Sequence, residues 1–389
     1  MIHSKRAVSS SVVVLVVILL IVDVGAFYAG LAVSKQSTST SIITSTTATT
    51  SIQTSTQTSI ATSSTTVTSN QFVTSTTVST VTTTLMPTIP VGAYYYAWYG
   101  LPANSHWSNG ACTITNDTPV LGRYDSLNSS VIQWQVKEAQ SAGLSFFIVS
   151  WWGPSTDNTT GNSQINYAVQ NFFKVLSNMH TNFKAAIMID GYNSSLDYNG
   201  YLNLYNYVYS NFVQPYNSNY FYFDGKPLIT IFNTPNPQSE HPPSSNMFTI
   251  ETLGNTPNPV DWLLWGVGNI SYPSSGVTVI NKPENFTPSI GSGGYVSVTP
   301  RFDDSLLYDS GCRSGALVLD QNYTLSLYQS QWNYVLTHRS SVSVVVIYSW
   351  NEYMERSFVE PAVSYTTPNL SPYYLLNLTS NFTSELNPG

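Results

Sequence analysis

Short runs of apolar, β-branched and aromatic residues recur through the later part of the chain, with helix-length segments between several of them. They lie at 91–98, 144–152, 184–190, 226–232, 262–268, 295–299 and 342–350, with a weaker one at 277–280. Near-continuous apolar strands are what a parallel sheet requires, because helices cover both of its faces. The pattern predicts helices at 130–142, closed by Gly143, and around 165–179, with a Tyr-rich amphipathic stretch at 198–212. Seven or eight such units within residues 90–389 predict an α/β fold, a (β/α)8 TIM-type barrel. An open doubly wound sheet is the alternative. No G-x-G-x-x-G loop follows the first strand, so a dinucleotide role has no support.

The residues before 90 are of another kind. A short basic tail at 1–11, with Lys5 and Arg6, precedes an apolar segment at 12–34 broken by Asp23 and a few small residues. Roughly 20 apolar residues span a bilayer as a helix, and the positive flank would stay cytoplasmic. A single transmembrane anchor with the folded domain at the cell surface is therefore expected; a cleaved signal segment and secretion is the alternative. Ser and Thr dominate residues 35–89, and no charged residue occurs between Lys35 and Asp117. Such a tract buries too little apolar surface to offset its ordering entropy, so it reads as a disordered stalk, O-glycosylated or bare.

Net charge is −7 and the pI about 5.1, with no basic patch, which disfavours nucleic acid as a partner. Cys112 and Cys312 are the only cysteines. In an oxidising exterior they would form one disulfide; two buried thiols is the alternative, and they lack the companions of a zinc site. N-x-[ST] sequons recur from Asn116 to Asn381 and suit an exported glycoprotein. The histidines show no metal-ligand spacing and no G-x-S-x-G elbow is present, so neither a cofactor nor a serine nucleophile is expected.

Polar and aromatic residues gather where the predicted strands end, and in a barrel those ends converge on one rim. They are Tyr95, Tyr96 and Trp98; Trp151 and Trp152; Asp190 and Tyr192; Arg301, Asp303 and Asp304; and Asn351. His106, in the loop after the first strand, could join them. Aromatic rings stack on sugar faces while Asp, Asn and Arg bind hydroxyls, so the rim suits a carbohydrate. Only 8% of residues are charged, yet Glu352 and Glu355 stand three apart directly after the apolar run at 342–350. Glycoside hydrolysis needs two carboxyl groups, one to protonate the departing oxygen and one to develop a nucleophile on the other side.

The motif Ser349-Trp350-Asn351-Glu352-Tyr353-Met354-Glu355, with Val359-Glu360-Pro361 behind it, resembles the signature of glycoside hydrolase family 99, the endo-α-mannosidase family. Tyr95-Tyr96-x-Trp98-Tyr99, Gly122-x-Tyr124-x-Ser126, Gln140-Ser141-Ala142-Gly143, Ser150-Trp151-Trp152-Gly153 and Asp224-Gly225-Lys226-Pro227 agree with it in order. The resemblance implies a (β/α)8 barrel cleaving internal α-mannosidic linkages with retention and without a catalytic metal. It makes the residue at Glu352 the general base on the substrate's own 2-hydroxyl, and the one at Glu355 the acid and then the base. A double displacement with one Glu as direct nucleophile is the alternative, and a non-catalytic carbohydrate-binding or cell-envelope protein is the alternative to an enzyme. Tyr353, Met354 and Arg356 replace the family's usual Trp, His and Gly. Asp190-Gly191 stands where Glu-Pro is frequent, and Phe302-Asp303-Asp304 replaces Trp-Asp-Asn. Arg356 would lower the pKa of Glu355 if it lay close.

Overall fold

The computed structural model describes residues 39–42, 54–66, 72–84 and 87–388, apart from 102–105, 108–111, 113–114, 155–160, 191–195, 233–241, 254–272, 282–287 and 321–322. The chain divides into two units, Met1–Pro87 and Thr88–Gly389. The expected membrane anchor at 12–34 lies outside the described residues, among which no helix is long and apolar enough to cross a membrane.

In the first unit β1 (Ser39–Ile42), β2 (Thr54–Thr66) and β3 (Phe72–Thr84) form an antiparallel sheet in that order. These strands lie within the segment expected as a disordered stalk, 35–89. Thr, Val and Ile are strand-favouring residues, and the register sets like against like, as in Thr58 opposite Thr80 and Ile60 opposite Val78.

The second unit runs β4 (Val91–Tyr95), β5 (Thr118–Pro119), α1 (Ser129–Ser141), β6 (Phe146–Trp151), α2 (Gly161–Asn178), β7 (Lys184–Ile189) and α3 (Tyr198–Val208), whose end becomes a π-helical turn (Tyr209–Val213). It continues through β8 (Tyr222–Phe223), β9 (Lys226–Phe232), β10 (Thr249–Leu253), β11 (Gly276–Ile280), β12 (Tyr295–Val298), β13 (Phe302–Asp303), α4 (Ser305–Asp309), β14 (Gly315–Leu319), α5 (Ser326–Thr337), β15 (Val344–Ile347), β16 (Ala362–Val363) and α6 (Tyr374–Leu386).

The main sheet has the order β10-β9-β7-β6-β4-β15-β12, and every neighbouring pair in it is parallel. The first strand of the unit is thus central. The chain moves outward from it on one side to β10 and returns on the other through β12 and β15, the winding of a curled α/β sheet. The predicted strand at 262–268 lies outside the described residues. β11, the weakly signalled strand, joins a separate small sheet with β14 and β13.

β4 and β6 are buried along their whole length, which is why their sequences lack polar alternation. Their side chains still alternate between the two faces. Tyr94 faces Tyr295 across the sheet interior, hydroxyl to hydroxyl at 2.7 Å, whereas Tyr95 turns to the helices, its hydroxyl donating to Gln135 of α1 at 2.7 Å. Asn128 caps α1 by accepting from the Ser130 amide at 2.9 Å, and Gly143 ends it at φ 78°, a conformation only glycine adopts freely. β10, β14, α5 and α6 have weak sequence signals and were not anticipated; the alternating Thr249–Leu253 segment, with Glu251 in it, does not resemble a buried strand.

Candidate active site

Beyond β15 the chain makes a closed loop over 348–360. Ser349 N–H donates to Ser357 O (2.8 Å), Val359 N–H to Ser349 O (3.0 Å) and Glu360 N–H to Trp350 O (2.8 Å), while Trp350 N–H donates to Tyr94 O (2.7 Å). Asn351 fastens this loop to the end of β4. Its Oδ1 accepts from Tyr96 N–H (2.8 Å), its Nδ2 donates to Tyr96 O (3.0 Å) and to the Tyr124 hydroxyl (3.1 Å), and its carbonyl accepts from the Tyr99 hydroxyl (2.7 Å). Expected among the sugar-binding groups, Asn351 has its amide taken up by the protein itself. Asn351→Ala should leave the Tyr96 amide and carbonyl unpaired and cost about 2 kcal/mol of stability, read as a lowered urea midpoint.

The loop delivers two buried carboxyl groups. Glu352 is 3% exposed and Glu355 5%. Glu352 Oε1 accepts from Met354 N–H (3.0 Å), and its Oε2 makes no hydrogen bond among the described residues. Burial pushes Glu352 well above the ordinary carboxylate range, and the neighbouring Glu355 pushes it further. Both oxygens of Glu355 are held: Oε1 accepts from Arg313 Nη2 (2.5 Å) and Oε2 from the Tyr348 hydroxyl (2.6 Å). Burial raises Glu355 as well, with Arg313 and Tyr348 opposing the rise.

Around the pair stands an aromatic wall. Tyr96 stacks on Trp98 at 4.4 Å, the His106 ring lies parallel to Trp98 at 4.8 Å, and Trp152 meets Trp98 edge-on at 5.6 Å. Burial, followed by the charges of Glu352 and Asp190 and, more weakly, Glu355, pushes the Tyr96 phenol well above its ordinary value, and Tyr348, which donates to Glu355, is also hydrogen-bonded to Tyr96. Asp190 accepts from Ser150 Oγ at 2.6 Å. Tyr96, Trp98, His106, Trp152, Asp190, Glu352 and Glu355 therefore form one neighbourhood.

Other expected site residues are held by other partners, and Asp304 is joined to Glu355 through Arg313. Tyr95 and Trp151 alternate to the helix side of their strands; the Trp151 indole donates to Asn166 of α2 at 2.8 Å. Arg301 is buried, its Nε donating to Arg356 O (2.8 Å) and its guanidinium over the Phe358 ring (4.5 Å). Asp303 accepts from Arg356 Nη1 (2.5 Å), the Tyr323 hydroxyl (2.8 Å) and Ser305 Oγ (2.6 Å). Burial alone would raise Asp303, but Arg356 and these hydrogen bonds outweigh it and hold its carboxyl below the ordinary value. Asp304 accepts from Leu317 N–H (2.8 Å) and Arg313 Nη1 (2.5 Å). Tyr192 lies outside the described residues.

The cation beside Glu355 is thus Arg313 and not Arg356, which pairs with Asp303 and, at 3.6 Å, with Asp117. Arg313 and Tyr348 are groups that motif reading did not single out, and Glu360, part of the motif, carries no role in that reading. Glu360 is 1% exposed and accepts from the Tyr124 and Tyr353 hydroxyls (2.9 and 2.7 Å) and from Gln135 Nε2 (2.6 Å). The one available signal for Arg313 was its place beside Cys312, which is disulfide-bonded to Cys112.

No family model matches the sequence, and no curated protein matches it. Among solved structures, the chain is similar to a GH99 endo-alpha-mannosidase from Bacteroides thetaiotaomicron in complex with bis-tris-propane, at 20% identity and a TM-score of 0.51, covering 76% of this chain and 97% of that one. A second structure of GH99 endo-alpha-mannosidase from that organism gives 18% identity and a TM-score of 0.49, with the same coverage. A glycoside hydrolase-like protein gives 16% and 0.46, covering 78% of this chain and 96% of that one. At these identities the likeness concerns architecture alone, and the first alignment carries it: the chain has an α/β fold similar to that of a family 99 glycoside hydrolase.

Proposed function

We propose that the chain is a retaining glycoside hydrolase that cleaves internal α-mannosidic linkages of polysaccharide or glycoprotein glycans outside the cell. The observation that carries this reading is the pair of buried carboxyl groups, Glu352 and Glu355, on one loop at the C-terminal end of a parallel strand and beside a wall of stacked aromatics. The fold likeness to a GH99 endo-alpha-mannosidase supports the class. The parallel sheet is read as most of a (β/α)8 barrel, and the segment at 12–34 as the anchor that keeps the domain at the cell surface.

In the proposed cycle Glu352 takes the proton of the sugar's 2-hydroxyl as that oxygen attacks the anomeric carbon. Glu355 gives a proton to the departing glycosidic oxygen. A 1,2-anhydro sugar results; Glu355 then deprotonates a water that opens it at the anomeric carbon, and the 2-oxygen recovers its proton from Glu352. The accessible hydrogen-bonding capacity of Glu352 Oε2 fits the first role. A second reading has its own support. Arg313 stabilises the anion of Glu355, which suits a double displacement with Glu355 as nucleophile and Glu352 as acid.

The test uses the full-length chain with α-mannan and a panel of other α-glycans between pH 4 and 8, products being resolved by size and anomeric form. Oligosaccharides of retained configuration from mannan are the expected result. Binding of a glycan with no release of product would hand the protein to the non-catalytic carbohydrate-binding reading.

A further inference from the structure

Arg313 stands one residue beyond Cys312, on the turn that follows α4. Cys312 and Arg313 N–H groups both donate to Leu307 O, at 2.9 and 3.3 Å, and Cys312 is disulfide-bonded to Cys112 across a sequence separation of 200. From that turn the guanidinium forks. Nη1 reaches Asp304 Oδ2 and Nη2 reaches Glu355 Oε1, each at 2.5 Å. Asp304 is a fixed point, wholly buried and also accepting from Leu317 N–H. One arm of the fork is therefore anchored and the other grips the carboxyl group placed in the reaction.

The grip is not one that an arginine adopts unaided. The Arg313 side chain remains 32% exposed, and immobilising a long side chain forfeits rotamer freedom. Fixing the base of the side chain by the bridge and its tip by Asp304 reduces that cost. With the Tyr348 hydroxyl on Oε2, both oxygens of Glu355 are then directed at once.

We propose that Arg313 is a positioning residue for Glu355, and that the Cys112–Cys312 disulfide holds the fork in place. This rests on the glycosidase reading for its functional meaning, although the geometry can be tested without turnover. The charged and titratable groups facing Glu355 are Arg313 and Asp304 from the two ends of α4, Tyr348 and Glu352 from its own loop, and Tyr96 from the end of β4. Asp303, whose N–H donates to Glu355 O at 2.8 Å, has its own carboxylate taken by Arg356. Arg313 is thus the cation among these groups, and without it Glu355 would be left with Asp304 and Glu352, both of its own sign.

The test begins with the full-length chain carrying 13C-labelled glutamate carboxyl groups, Glu355 being assigned through Glu355→Gln. Arg313→Gln should move the Glu355 titration midpoint upward by about one pH unit or more. Arg313→Lys keeps the charge without the fork and should keep most of the midpoint. The double variant Cys112→Ser/Cys312→Ser, and thiol reduction of the parent through the exposed Cys112, should shift it in the same direction as Arg313→Gln. Both limbs of the hydrolysis pH profile should follow, with kcat falling about tenfold to a hundredfold and KM changing less. An unchanged midpoint in Arg313→Gln overturns the proposal. A shift there with a parent-like midpoint in the cysteine variant and the reduced parent overturns the part assigned to the disulfide. If Arg313→Gln does not fold, Arg313→Lys decides through kcat: losing the fork while keeping the charge should lower kcat about tenfold with KM changing less, and a parent-like kcat would sink the idea. Absence of any hydrolysis by the parent would reject the glycosidase reading and leave the carboxyl titration to judge Arg313.

Discussion

Glu352→Gln and Glu355→Gln should each lower oligosaccharide release from α-mannan by about a thousandfold, while the far-ultraviolet circular dichroism stays that of the parent. Both groups are buried and each already accepts a hydrogen bond from the protein, so an isosteric amide fits the space and loses the proton chemistry, together with the charge that pairs with Arg313 at position 355. Aryl α-oligomannosides separate the roles. A phenolate that leaves unaided does not need an acid, so the variant lacking the acid recovers its first step on such substrates and the other does not. Recovery in Glu355→Gln alone would establish the assignment with Glu352 acting on the 2-hydroxyl. Recovery in Glu352→Gln alone would establish the double displacement, the arrangement that Arg313 beside Glu355 favours electrostatically. Full activity of both variants on mannan would remove the pair from the chemistry.

Much of this site was legible because its elements obey simple periodicities. The run at 342–350 is a parallel strand, β15, followed by the glutamate loop, and the aromatics after β4 and β6 stand at the same end of the sheet. What strand-end reading blurred was the alternation within each run. Tyr96 and Trp152 join the carboxyl groups, whereas Tyr95 and Trp151, one residue earlier, turn to Gln135 and Asn166. Applying period two strictly from the strand would have divided those pairs. The arginines were illegible for another reason. Arg356 lies next to Glu355 in sequence, but its φ of 51° turns it toward Asp303, and the residue that reaches Glu355 is 42 positions away. Sequence proximity cannot report a contact made by a loop returning from another strand. The same holds for Glu360, whose donors come from α1, from the segment carrying Tyr124 and from its own loop.

Glu360 also makes the stability of the fold depend on pH in an unusual sense. Its carboxyl is pushed up from 4.5 to about 7, chiefly by burial, which outweighs the donors around it. Glu251 is raised to about 7, again by burial, and Glu352 and Glu355 shift in the same direction. The native state therefore binds protons that the unfolded chain has released between about pH 4.5 and 7. The stability these groups contribute is fully present below the unfolded value and is lost as pH rises through the folded one. For Glu360 alone the change across that window is roughly 3 kcal/mol. Asp303 acts oppositely, since its lowered carboxyl withdraws stability as pH falls through its folded value, below the ordinary 3.8. The urea midpoint of the full-length chain should thus increase from pH 7.5 to about pH 5 and decline only in stronger acid. Glu360→Gln is the decisive variant. Its amide can donate to the Tyr124 and Tyr353 hydroxyls and accept from Gln135, keeping the cluster bonded without a proton to lose. That variant should gain stability at pH 7.5 and show a shallower slope than the parent. A parent midpoint that is flat or falling between pH 7.5 and 5 would mean that water or rearrangement relieves the buried carboxyl groups. It would also weaken the case that Glu352 and Glu355 lie above the ordinary carboxylate range, because the same burial raises all of them.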